Sequence, residues 1–253
     1  MATIIPKTSA VLTSLLRADF TTQWRNRRAV ILTLIVPGII LMSWKSLTAT
    51  VGGPFVLSNA ITIGLFASGL MGYSNTVARD RDKGIFQRLR VAPIPSWAII
   101  GSRLLVQLVM IILITTIVFI IGKDYDGIAL SPAAYVITYF TAIIGGSVSL
   151  SLGQMIVGFI KNPETVNSTT RLVYIAFITT GIFGEIYMAL NKIDKIIGYV
   201  VKYSPYGTVK NILSTGMEPG KWHTDTSTAL LITIGYTMIF TFLGVKWFKW
   251  NTK

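Results

Sequence analysis

Residues 97–122, WAIIGSRLLVQLVMIILITTIVFIIG, decide the fold class: past Arg103 the run carries no charge at all. A helix needs about 20 mostly apolar residues to cross a bilayer, and this run supplies them. Arg103, close to one end, is placed to snorkel to the nearer interface. Working outward from it, the same reading applies to five more stretches. They are 29–46 (AVILTLIVPGIILMSWKS, with Pro37 at its centre), 55–78, 132–160, 172–184 and 228–248. Neighbouring helices can re-satisfy the carbonyl that Pro37 frees. The expected fold is an all-α polytopic membrane protein with six transmembrane helices.

Composition agrees. The chain of 253 residues is 52% hydrophobic and only 13% charged, where soluble domains carry about 25% charged residues. Mean hydropathy is +0.62. There is no cysteine, which excludes disulfides and thiolate metal sites. The one histidine, His223, reads as an exposed loop residue and makes a His-based metal centre implausible. A net charge of +13 suits nucleic acid in a soluble chain, but in a hydrophobic one it suits basic cytoplasmic loops. No nucleic-acid partner is expected.

The first 28 residues lack the basic start and unbroken apolar core of a signal peptide. They contain an amphipathic stretch instead. Val11, Leu12, Leu15, Leu16, Phe20 and Trp24 share one face at helical spacing, with Arg17, Thr21 and Arg25 off it. Such a helix either lies in the membrane interface, with Arg25, Arg27 and Arg28 beside lipid phosphates, or packs on a partner.

Lysine and arginine set the direction. With six crossings, one side receives the N-terminus, loops 79–96 and 161–171, and the C-terminus. Sixteen of the 23 basic residues, Arg103 included, fall on that side. Basic loops face the cytoplasm, so both termini are expected there, in the cell membrane.

The most informative loop is ARDRDKGIFQRLRVAPIPSW, residues 78–97. Residues 83–91 suit a short helix with Ile85, Phe86 and Leu89 on one side. A solvated loop that only fixes topology is one reading. An apolar knob among charges, suited to docking a soluble partner, is the other. Asp80, Asp82, Gly84, Arg88, Leu89 and Pro93 follow in an order that resembles the permease subunits of type 2 ABC exporters, close to those similar to the daunorubicin exporter. Asp80 and Asp82 stand where that family more often has Glu, and Ile85 and Gln87 replace its usual Thr and Glu. Tyr203-Ser204-Pro205-Tyr206, followed by 209–213, resembles the family's Pro-containing stretch and helix before the last span.

The resemblance implies a single transmembrane domain over 1–253. Residues 1–28 would hold a cytoplasmic connecting helix (Leu12, Leu16, Phe20, Trp24, Arg25). Residues 79–96 would hold the coupling helix, and 185–216 an outer re-entrant or interfacial segment. It implies that Phe86 and Leu89 anchor an ATPase subunit, while Asp80, Asp82, Arg88 and Arg90 fix register by charge. The chain has no G-x-x-x-x-G-K-[ST] phosphate loop. No cofactor is expected on it, since ATP and Mg would sit on the partner ATPase. A second permease, identical or related, would complete the path.

Small residues recur every four positions at Ala60, Gly64, Ser68, Gly72 and Thr76, and again at Gly145, Ser149 and Gly153. They let helices approach closely, within the chain or across a dimer seam. Asn59, Tyr73, Asn75, Thr179, Thr180 and Phe183 are candidate path-lining residues, or hydrogen-bonded neighbours in the bundle. Ionisable residues deep in the spans are nearly absent, which argues against a proton relay and for a bulky amphipathic substrate. The apolar repeat Ile186, Leu190, Ile193, Ile197, Val200 and Val201 suits an outer interfacial helix, broken at Ser204-Pro205. The alternative function is a self-contained secondary transporter or channel that needs no ATPase.

Overall fold

The computed structural model of the chain describes residues 8–91, 96–189 and 195–248, and among them there is no strand. In chain order the helices are α1 Thr8–Arg25, α2 over 27–43, α3 Lys45–Val51, α4 Gly53–Asp82, α5 Ile85–Val91, α6 Ser96–Asp124, α7 Pro132–Phe159, α8 Pro163–Ala189, α9 Lys195–Tyr203, α10 Pro205–Met217 and α11 Thr224–Lys246. Three helices start on one device, a polar cap followed by proline. Ser131 Oγ accepts from Ala134 N, Asn162 Oδ1 from Glu164 N, and Ser204 Oγ from Gly207 N. Each cap satisfies an amide that helix geometry orphans, and proline at the first position loses nothing by lacking an N–H.

Among the described residues, Gly53–Asp82, Gly101–Asp124, Pro132–Phe159 and Thr224–Lys246 are each long and apolar enough to cross a membrane. The pair Ile31–Ser43 and Lys45–Val51, bent 66° apart, makes a fifth if it is one broken span. The break falls at Trp44, whose φ of −95° and ψ of 12° leave the helical region. The expected fifth span, 172–184, lies inside α8, which begins nine residues earlier than its apolar run because the Asn162 cap and Pro163 start it there. Loop 161–171 is therefore mostly helix.

α4 is the centre of the bundle, with every residue of 56–70 buried. Its small-residue stripe packs within the chain. A Cβ on Gly64 would lie 2.6 Å from Ile114 Cγ2, and one on Gly153 of α7 2.6 Å from the Gly69 carbonyl. Ser68 donates to Gln107 Oε1 at 3.1 Å. Two segments, Ile31–Ile35 and Ala67–Tyr73, are wound as π-helix and touch each other. The chain breaks between α9 and α10 at Ser204, and α10 is largely buried. Tyr206, Val209, Ile212 and Leu213 are fully enclosed between α4 and α7. Tyr206 donates to Asn59 Oδ1 at 3.0 Å and so ties α10 to α4.

Candidate functional site

α4 runs on past its apolar stretch to Asp82. The chain then reverses at Gly84, whose φ of +66° is open to glycine at little cost, and enters α5. The turn sets Phe86 of α5 close to Arg103 of α6. Arg103 Nη2 meets Asp80 Oδ2 at 2.5 Å, with the two side chains only 14% and 13% exposed. The same guanidinium stands 4.7 Å from the Phe86 ring centroid. A cation over a desolvated aromatic face contributes about 1–2 kcal/mol. One residue earlier, Ser102 Oγ donates to Asp19 Oδ2 of α1 at 2.5 Å. Burial pushes the Asp19 carboxyl above its ordinary range. The Ser102 hydroxyl and Arg103 pull it back, and Asp80 adds to the rise. Four elements thus meet around Arg103, which ion-pairs instead of reaching for an interface.

Arg81 is the second feature. It is 1% exposed, yet it sits one residue from the end of α4. Nη1 donates to the carbonyl of Val157 at 2.7 Å, and Nη2 to those of Ile160 and Lys161 at 2.6 and 2.8 Å. These carbonyls belong to the last turn of α7 and the residues just beyond it, which no intrahelical amide satisfies. The guanidinium therefore caps α7 with charge of the sign its dipole favours. Phe248 lies beneath, 5.7 Å from the guanidinium carbon, and meets the Phe86 ring edge-on at 5.8 Å.

Phe86 is placed differently from the expectation of an outward knob. It is 8% exposed and packs in a small cluster with Val77, Ala78, Val157 and Val166. The helix turns this residue inward, so its apolar surface holds α5 to its own chain. What α5 and its approach leave exposed is Asp82, Lys83, Gln87 and Arg88. The side chains of Leu89 and Arg90, and all of Pro93, lie outside the described residues.

Helix α1 lies against α6. Val11 is buried, Leu12 and Leu16 are half-buried, and Arg25 is exposed. Phe20 and Trp24 stack at 6.0 Å and face outward from the chain. The amphipathic stripe is thus divided between an inner packing half and an outer aromatic pair.

The six candidate path residues form two groups. Asn59 is buried, Tyr73 and Asn75 are half-buried, and all three are bonded. Asn59 donates to the Phe55 carbonyl at 3.0 Å, Tyr73 to Gln154 Oε1 at 2.9 Å and Asn75 to the Met71 carbonyl at 3.0 Å. Thr179, Thr180 and Phe183 are exposed on α8, in line with Leu172 and Ile175. The sequence marks Arg81 only as a topological charge and Tyr206 only as part of a family-like stretch, and gives no role to Asp19 or Ser102. The available signal was a cation low in each of two spans with acids at Asp19 and Asp80 to meet one of them.

Residues 10–215 match the family described as ABC-2 type transporter. The chain is also similar to YvfS of Bacillus subtilis (strain 168), named as a candidate transport permease. The two are 23% identical over 188 residues, which is 74% of each chain.

Proposed function

The chain belongs to the ABC-2 type transporter family, and from that premise we propose that it is the permease subunit of an ATP-driven exporter. Its spans form the path for a hydrophobic or amphipathic substrate, such as a drug, an antimicrobial peptide or a lipid-like compound. A separate ABC ATPase docks at the Asp82 end of α4, with ATP and Mg held there. Both termini and α5 are cytoplasmic, α8 completes six crossings of the cell membrane, and α10 is the re-entrant element. A second permease faces the exposed stripe of Thr179, Thr180 and Phe183.

The observation that carries this reading is the bracing of α5. A short helix must move as one body with the spans if it is to transmit a push. The Arg103–Asp80 pair, the Arg103–Phe86 contact and the Arg81 cap supply that stiffness. Its exposed polar edge, Asp82, Lys83 and Arg88, is left for the partner. Rim charges of this kind choose register and partner more than they add affinity.

The test is to purify the full chain from membranes with its ATPase and replace Arg88→Glu. Expected results are normal membrane insertion, loss of the copurifying ATPase and loss of substrate-stimulated hydrolysis. A self-contained transporter would be indifferent to that change and would carry substrate with no ATPase present. Either result would sink the proposal.

A further inference from the structure

At the end of the bundle opposite α5, an open cleft of about 650 Å³ lies between the start of α4, the loop between α6 and α7, and the turn after α10. That size is in the range of pockets for drug-sized molecules, about 300–1,000 Å³. Pro54, Ile128, Leu130 and Met217 give it apolar walls. Asp126 also lines it. Both Asp126 carboxylate oxygens are shielded from solvent, and neither has a hydrogen-bond partner among the described residues.

The nearby cations are committed elsewhere. Lys221 pairs with Glu218 at 2.8 Å. Lys45 donates to the Tyr125 carbonyl at 2.9 Å and stands 4.3 Å from the Tyr125 ring centroid. The cleft therefore holds one acid with no direct ion pair among the described residues, felt by Lys45 only through its field, in a chain with 23 basic and 10 acidic residues. A buried carboxylate without a partner is costly, and burial pushes its proton affinity up, with Lys45 only partly opposing.

We propose that this cleft binds a lipophilic organic cation, with the charge against Asp126 and the body on the apolar walls. A bare metal ion fits poorly, because among the described residues no three His, Cys, Asp or Glu side chains gather to hold one. An anion would meet Asp126 unfavourably. The size, the apolar lining and the single unpaired negative charge all favour a bulky monocation such as a quaternary ammonium or phosphonium.

Binding needs no ATPase, so its test is separate from that of the transport reading. The full chain in lipid nanodiscs is dialysed against radiolabelled tetraphenylphosphonium, with empty nanodiscs as the blank. Tetraphenylborate, an anion of the same shape, is the charge control. The wild type should bind phosphonium above the blank. Asp126→Asn should weaken that binding about tenfold, the scale of one partly shielded charge contact. Ala129→Trp, at an exposed position of the cleft wall, should block it by filling space while leaving Asp126 intact. Tetraphenylborate retention should be equal in all three proteins. If Asp126→Asn does not fold, Ala129→Trp decides. Phosphonium binding no greater than the blank, or unchanged in the folded variants, overturns the proposal.

Discussion

Replacing Asp80→Asn and Arg103→Gln, singly and together, measures how firmly α4 is tied to α6 beside α5. The pair is 2.5 Å apart with both side chains nearly enclosed. At an effective dielectric constant of about 20, the gross attraction of such a pair is roughly 4 kcal/mol. Desolvation of the two charges cancels part of it. Removing one partner leaves the other enclosed and unpaired, which costs about 3 kcal/mol. Arg103→Gln also gives up its contact with Phe86, about 1 kcal/mol more. Each single variant should therefore lose about 3–4 kcal/mol, while the double loses little more than Arg103→Gln alone. The resulting coupling is about 2–3 kcal/mol. For a chain of this size about 1 kcal/mol moves the midpoint by roughly 2–4 °C, so each single change should lower it by about 6–16 °C in detergent or nanodiscs. Thermal unfolding of the four proteins checks the cycle, and substrate-stimulated hydrolysis by the partner should fall in parallel. Additive costs, with a coupling below about 0.5 kcal/mol, would refute the idea that this pair fastens α4 to α6 at the corner where α5 begins.

Three other perturbations bear on the same end. Arg81→Met leaves three carbonyls without their charged donor and should cost about 3–5 kcal/mol; Arg81→Lys should recover only part, and equal melting of Met and wild type would exclude a capping role. Asp19, whose ordinary pKa is 3.8, is raised in the fold, so the folded chain holds its proton more tightly than the unfolded one. Its ionisation opposes folding increasingly as pH rises from the unfolded value through the raised one, and as a constant cost above it. Melting followed downward from neutral pH should thus carry a stabilising contribution that Asp19→Asn removes, and identical pH profiles would contradict the burial of Asp19. Gly153→Val places a side chain against the Gly69 carbonyl and should cost at least about 2 kcal/mol; a neutral result would mean α4 and α7 do not approach as described.

Spans and caps were readable in the sequence because each has a local cause. Continuous apolar runs mark α4, α6, α7 and α11, and Ser131-Pro132 and Ser204-Pro205 mark helix starts. The start of α8 was not, because 163–171 is polar and periodicity sees no helix there, although Asn162 and Pro163 supply one. The π-wound Ala67–Tyr73 segment leaves no trace in residue pattern, since it is set by packing against neighbouring helices. Phe86 shows the sharper limit. Helical spacing predicts that α5 has an apolar side, but which surface that side meets depends on where Gly84 turns the chain. Phe86→Asp would accordingly be a poor test of partner docking. It would introduce a charge into the cluster of Val77, Val157 and Val166, and unfolding would mask uncoupling.

The two ends of α4 are fixed by different chemistry, and this decides what can disturb each. Toward Gly53 the ties are neutral: Tyr206 to Asn59, with Val209 seated on Gly145. Such contacts respond little to salt or pH. Toward Asp82 the ties are charged: Arg103 to Asp80, and Arg81 to three carbonyls. The Asp80 pair depends on the charge of a single side chain, so Asp80→Asn abolishes it. The Arg81 contacts go to backbone carbonyls, which that change does not touch. Asp80→Asn should therefore loosen the corner at α5 from α6 while α4 remains fastened to α7. Hydrogen exchange in the full chain can resolve that order, with amides of 85–91 gaining exchange before those of 153–159. Simultaneous loss of protection in both would mean that Arg81 does not hold α7 independently of the Arg103 cluster.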